Sequence, residues 1–406
     1  MAASPSVDVW ASDVPPEKSC YIQESRPTLA NLENLQVPPG SLTMLDLFCG
    51  AGGFSVGASW AGFFPVVGLD YLRPAIETWQ RNHPHSISAL GDIRETDAFE
   101  LRNLLAARGV RHINLITGGV PCQGFSIANR KHNDEDPRNF LFLEYLRFVD
   151  AFQPDYAILE NVSGMRSTAG GRFEAEISRR MQALGYLVTV KLVNAADYGV
   201  PQQRHRLLFV AVRNRPAVAK PYDFPDGAFA SVRAHRTVGE AISDLPRLGN
   251  HEFADAYDTP PQSVYQSLMR GAGDIANISP PEKLTNHHAP NHPASTIAKI
   301  DNTAPGMPIY PKFRQRIRLA ANAPSPTQLA GGIRPQYQFG HPDQPRGETV
   351  RERARLQSFP DSYEFLGGTV QSRVLTGNAV PPLMVYEVVK PIVADLQHRD
   401  RISSYV

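Results

Sequence analysis

From residue 43 the chain alternates short apolar runs with stretches whose apolar residues recur at helical spacing. The runs at 43–47, 65–69, 86–90, 113–117, 156–159, 187–193 and 206–212 predict strands, and the segments 73–82, 98–108 and 172–184 predict helices between them. Asp136-Pro137 reads as an N-cap followed by proline at the first helical position, opening a helix over 138–152. This rhythm predicts an α/β fold: a doubly wound, mostly parallel, Rossmann-like sheet with helices on both faces. It stops near residue 214. Residues 215–335 are rich in Pro, Gly, Asn and His and predict a separate, smaller, loop-rich domain. Helical patterns return at 349–357 and 382–397. The expected division is a polar, mobile or loosely docked arm (1–42), a main domain (43–214), the loop-rich domain (215–335) and a return to the main domain with a closing helix (336–406).

Composition narrows the class. In 406 residues, 42% hydrophobic and 20% charged, there is enough apolar material for a large core and a second unit. Lys and Arg number 41 against 40 Asp and Glu, so no global basic field advertises a polyanionic partner, and any such partner must meet a local patch. Cys20, Cys49 and Cys122 show no metal-ligand spacing, so neither a disulfide framework nor a metal site is expected, and a reducing cytoplasm fits. No apolar run approaches the roughly 18 residues of a membrane span, and the first residues lack the features of a secretory signal. The expectation is a cytoplasmic protein with no membrane association.

Four stretches carry chemistry. Leu45-Asp-Leu-Phe-Cys-Gly-Ala-Gly-Gly-Phe-Ser55 is a strand, a glycine turn and a helix start, whose free N–H groups suit a ligand. Asp70 and Asp92 follow where the next two strands end, and a carboxylate at the second strand's end can hold ribose hydroxyls. The alternative is a glycine turn that only packs helix on sheet. Cys122, in Gly118-Gly-Val-Pro-Cys-Gln-Gly-Phe-Ser126, follows a strand at the carboxyl edge of the sheet. The polar stretch from Asn129 to Asp136 behind it reads as a flap, and a thiol under a flap suits a nucleophile better than a core residue. Glu160 ends an apolar strand. In Gln202-Gln-Arg-His-Arg206, Arg204 and Arg206 share one face of an extended chain and suit a carboxylate or phosphate, unless they line a solvated edge.

With these motifs in this order, over about residues 43–214 and 323–396, the chain resembles the cytosine-5 DNA methyltransferases. Asp46-Leu-Phe-Cys-Gly-Ala-Gly-Gly53 looks like the family's cofactor motif, Pro121-Cys122-Gln123 its nucleophile motif and Glu160-Asn161-Val162 its acid motif. Gln202-x-Arg204-x-Arg206, Arg351-Glu352-x-Ala354-Arg355-Leu356-Gln357 and Gly377-Asn378-Ala379-Val380 match the remainder. The resemblance implies a sequence-specific enzyme that methylates carbon 5 of a flipped-out cytosine in double-stranded DNA. The methyl donor is S-adenosyl-L-methionine, released as S-adenosyl-L-homocysteine, and Cys122 forms a covalent adduct. It further implies that Phe48, Gly50, Ala51, Gly52 and Gly53 line the methionine end of the cofactor. Asp70 takes the ribose, where the family more often has Glu, with Tyr71 against the adenine. Asp92 and Ile93 position the adenine, and Pro121, Leu141, Asn378 and Val380 complete the pocket. Glu160 holds the cytosine N3 edge, oriented with the base's O2 by Arg204 and Arg206.

In this family the segment corresponding to 215–335 reads the target bases. Within it Lys312, Arg314, Arg316 and Arg318 alternate with other residues. If extended they form a cationic stripe for phosphates or guanine, the alternative being a charged, solvated edge strand. Ser126 and Arg138 complete the candidate DNA contacts. His287, His288 and His292 read as loop histidines or DNA contacts rather than metal ligands. A monomer at the nucleoid, paired in function with a restriction endonuclease, is the expected setting. Competing readings are a transfer-RNA cytosine methyltransferase, whose Cys-Phe-Thr tripeptide is absent, a catalytically idle DNA-binding relative or repressor, and a nicotinamide dehydrogenase, which leaves Cys122, Glu160 and the arginines without a role.

Overall fold

Eight strands form one sheet in the order β1-β4-β3-β2-β5-β6-β8-β7. The computed structural model describes residues 27–121, 140–166, 171–215, 220–230, 235–275, 278–330 and 337–403. The strands are β1 (Thr28–Ala30), β2 (Leu42–Leu47), β3 (Phe63–Asp70), β4 (Ile87–Leu90), β5 (Leu115–Gly119), β6 (Tyr156–Val162), β7 (Tyr186–Asn194) and β8 (His205–Arg213). Strands β4, β3, β2, β5 and β6 run parallel, whereas β1, β8 and β7 each pair antiparallel with their neighbours. The central strands are buried on both faces, which is why they read as unbroken apolar runs. Most strand ends lie within a residue or two of the expected ones. β5 runs on through Gly118-Gly119, which propensity disfavours but pairing of Gly119 with Glu160 holds extended.

Helices α1 (Gly53–Ala61), α2 (Arg73–Asn82), α3 (Ala98–Ala107), α4 (Leu141–Phe152) and α5 (Arg172–Ala183) connect these strands. Two apolar clusters flank the sheet: one takes Leu45, Val67, Ile116 and Phe148, the other Met44, Phe54, Val210 and Val389. The strand order reverses between β2 and β5, so a crevice opens beyond their carboxyl ends, near Leu47 and Gly118. The expected arm contributes β1, whose three residues pair with Leu90, Ala89 and Ser88 of β4. That part of it is an edge strand and not a loose tail.

Residues 215–335 contain α6 (Val238–Ile242), α7 (Val264–Met269) and α8 (Ala294–Asp301), followed by α9 (Val350–Leu356), α10 (Thr369–Asn378) and α11 (Pro382–Ser403). The sequence boundary near 215 is not a boundary in the core. Ile242, Tyr265, Leu268 and Leu319 belong to the same apolar cluster as Met44 and Val389, while Ile300, Ile309 and Tyr337 form a small cluster apart. Helix α9 joins the parts through ion pairs no periodicity could forecast. Arg355 is fully buried and bonds Asp361 at 2.6 Å and Asp244 at 2.9 Å, and Arg346 bonds Glu352 at 2.6 Å. Breaking such a pair from one side leaves an uncompensated buried charge, at about 3–5 kcal/mol.

Candidate active site

The turn between β2 and α1 bends sharply: Phe48, Gly50 and Gly52 have φ of 56°, 52° and 75°. Asp70, at the end of β3, fixes this turn by accepting the Gly50 N–H and the Leu72 N–H, each at 2.9 Å. Burial raises the Asp70 carboxyl to about 6 against the pull of those backbone donors. Deeper in, Asp46 accepts Ser55 Oγ at 2.6 Å and Thr117 Oγ1 at 3.0 Å, and burial raises it to about 7. Burial, with Asp70 and Asp46 adding to it, pushes the thiol of the neighbouring Cys49 well up and keeps it protonated.

The remaining walls come from distant parts of the chain. A Cβ at Gly53 would lie 1.9 Å from the Val380 carbonyl oxygen, so α1 and the turn before α11 are in backbone contact there. A Cβ at Gly119 would lie 3.6 Å from Glu160 Oε2 and 4.0 Å from Val380 Cγ2. Thus the glycine turn, the tip of β5, Glu160 and Val380 converge at the sheet's switch point. Glu160 is paired with Arg206, Nε to Oε1 at 2.6 Å. The ladder explains this: Val162 sits opposite Arg206 and Glu160 opposite Leu208, putting both side chains on one sheet face.

Arg204 departs from the expectation that it orients Glu160. The chain leaves the ladder before His205, and Arg204 turns inward, donating to the carbonyls of Gln328 at 3.0 Å, Gly377 at 3.0 Å and Ala379 at 2.9 Å. Burial and the neighbouring Arg206 pull its guanidinium well below the ordinary value. It holds the Asn378–Val380 turn against the segment that closes the loop-rich region. Asp92 follows β4 as expected, but its carboxylate is engaged by Arg94, through Nη2 at 2.5 Å. Ile93 is buried beside it, Tyr71 and Asn378 are exposed, and Pro121 and Leu141 are half-buried. Cys122, Ser126, Arg138, the expected flap and the Asp136-Pro137 cap expected to open the helix lie outside the described residues, and the helix is seen from Leu141 with Phe140 as its N-cap.

The cationic stripe is not a strand. Residues 310–316 form consecutive turns, with Phe313 N–H bonding the Tyr310 carbonyl and Arg316 N–H the Phe313 carbonyl. Lys312 and Arg314 are exposed, and the Arg316 guanidinium lies over the Phe313 ring at 5.1 Å. Arg318 faces inward, donating to the carbonyls of Ile300, Asp301 and Thr303 at the end of α8, where orphan carbonyls need a donor. His287 and His292 are buried structural groups, bonding Thr349 and the Gly347 N–H, and His288 packs on His251 and Phe253.

Tyr363 gave no local signal. Its hydroxyl donates to the Ala51 carbonyl at 2.6 Å, tying the glycine turn to a residue 312 positions later. Tyr363→Phe should weaken cofactor binding by about 5- to 100-fold, since it strands that buried carbonyl at about 1–3 kcal/mol. Turnover at saturating cofactor should change less. Unaltered affinity in a cofactor titration would remove this role. The cradle meets what the methyl-donor reading asks of it: space over Gly50, where a Cβ would meet nothing within 4 Å, with a buried carboxylate beside it.

The family model described as C-5 cytosine-specific DNA methylase matches residues 42–394. The chain is 33% identical over 366 residues to the type II methyltransferase M1.HphI of Haemophilus parahaemolyticus, covering 87% of each chain. It is 30% identical to M.AgeI of Thalassovita gelatinovora, covering 84% of this chain and 96% of that one. A prophage-encoded Escherichia coli protein described as a DNA modification methyltransferase superposes with a TM-score of 0.68 at 26% identity, over 88% of this chain and all of that one. The Dnmt2 methyltransferase of Schizosaccharomyces pombe shares the fold, with a TM-score of 0.57 at 18% identity over 88% of this chain and 99% of that one. With the motif order, the converging strand ends and these matches in agreement, the chain belongs to the C-5 cytosine-specific DNA methylase family and is a DNA cytosine-5 methyltransferase.

Proposed function

We propose that this enzyme rotates a cytosine out of duplex DNA, bonds it transiently to Cys122, and methylates its carbon 5 within one short recognition sequence. The observation that carries the reading is the Glu160–Arg206 pair beside Gly119 and Val380, an acid and a cation sharing a crevice with the glycine turn. Extrusion of the base costs a few kcal/mol of stacking and pairing. The Cys122 thiolate adds to carbon 6, and the electron pair of the 5,6 double bond shifts so that carbon 5 becomes nucleophilic. Glu160 hydrogen-bonds the N3 edge as charge develops there, and Arg206 holds Glu160 in place. The Gly50–Gly53 turn, Asp70 and Val380 would hold S-adenosylmethionine, which when bound would supply the methyl that carbon 5 takes, with S-adenosylhomocysteine as the leaving group. Loss of the carbon 5 proton then restores the double bond and expels the thiolate.

The type II names of the relatives support a setting in restriction and modification alongside a partner endonuclease, and we place the enzyme as a monomer on nucleoid DNA. Bisulfite sequencing of DNA from cells expressing the protein should reveal protected cytosines within one recurring motif. Full conversion at every site, or methyl transfer to RNA but not to duplex DNA, would overturn the proposal.

A further inference from the structure

Arg373 lies in the middle of α10, and its own backbone carbonyl is claimed by Arg353 Nη2 at 3.3 Å and Thr376 Oγ1 at 3.1 Å. Among the described residues its guanidinium has neither a hydrogen bond nor an ion pair. The charged groups facing it are Arg353, Glu348 and Arg316. Glu348 is already committed, accepting Arg353 Nη1 and Gln328 Nε2. His292 also faces it, and burial holds that imidazole neutral, at about 4. The chain running on from Leu329 and Ala330, residues 331–336, carries no acid.

Arg373 is therefore a half-buried cation beside two other cations, with no carboxylate of its own. Removal from water and the charge of Arg353 pull it down to about 9. Such a group is unfavourable unless an anion completes it. The surroundings resemble a contact surface. Val370, one turn earlier on α10, is 43% exposed, Leu329 is 36% exposed, and Phe313 beneath Arg316 is 48% exposed. The same helix runs directly into the Asn378–Val380 turn at the active site, roughly 10 Å away at 1.5 Å per residue.

We infer that Arg373 is a phosphate contact for the DNA strand entering the active site, placed there by α10 with Arg316 alongside. The inference rests on the DNA methyltransferase reading. A guanidinium matches a phosphodiester's paired oxygens, and a strand phosphate would supply the charge this cluster lacks.

The test is binding of the full chain to a short fluorescent duplex carrying the site mapped for the wild type, with S-adenosylhomocysteine present, over a salt series. Arg373→Ala should bind about 10-fold more weakly, with the log–log salt slope reduced by about 1. Arg373→Lys should keep the slope. Affinity for S-adenosylhomocysteine and the melting temperature should match wild type in both. Unchanged duplex affinity and slope in Arg373→Ala would overturn the inference, as would a loss shared equally by S-adenosylhomocysteine binding. A wild-type protein that methylates no duplex would instead sink the functional reading itself.

Discussion

Cys122→Ala should bind cofactor and duplex DNA as the wild type does and transfer no methyl group. Carbon 5 of cytosine is a weak nucleophile until a thiolate adds to carbon 6, and alanine offers no electron pair. An unperturbed thiol near 8.5 is only a few per cent ionised at neutral pH, so the normal rate also depends on cationic or N–H groups around it. Radiolabelled methyl transfer to the mapped duplex, beside a cofactor titration, separates chemistry from binding. Turnover at the wild-type rate by this variant would remove Cys122 from the mechanism. Cys49 offers no substitute: it is buried, and burial and Asp70 hold its thiol protonated.

Gly53→Ala is the second large effect. The added methyl would meet the Val380 carbonyl oxygen at 1.9 Å, and backbone cannot swing aside as a side-chain tip can. Either α1 or the Asn378–Val380 turn must retreat, and both are proposed walls of the cofactor pocket. Overpacking of this kind costs about 1–3 kcal/mol, which corresponds to a loss of cofactor affinity of about 10- to 100-fold. Isothermal titration with S-adenosylhomocysteine measures it directly. Wild-type affinity would mean that the seam between these elements is not part of the pocket.

The sheet was legible because its strands are buried on both faces and advertise themselves as apolar runs bounded by turns. Asp70 was legible as a carboxylate at the end of β3, whereas Glu160, expected to end its strand, lies inside β6, because pairing with β8 carries the strand on to Val162. Arg204 was not: alternation in Gln202–Arg206 gave its face but not the end of the ladder, beyond which the side chain turns to three carbonyls. The stripe at Lys312–Arg318 failed likewise. Period-2 spacing matters only if the backbone is extended, and here turns consume the segment and the end of α8 recruits Arg318. Tyr363 reaches across 312 positions and Arg355 across 111, and no local pattern encodes such a partner.

The reach of Tyr363 across 312 positions has a temporal side. Translation delivers the glycine turn before both the phenol that steadies it and the Val380 carbonyl that backs it. A nascent chain on the ribosome thus carries an unfinished cleft until those residues emerge.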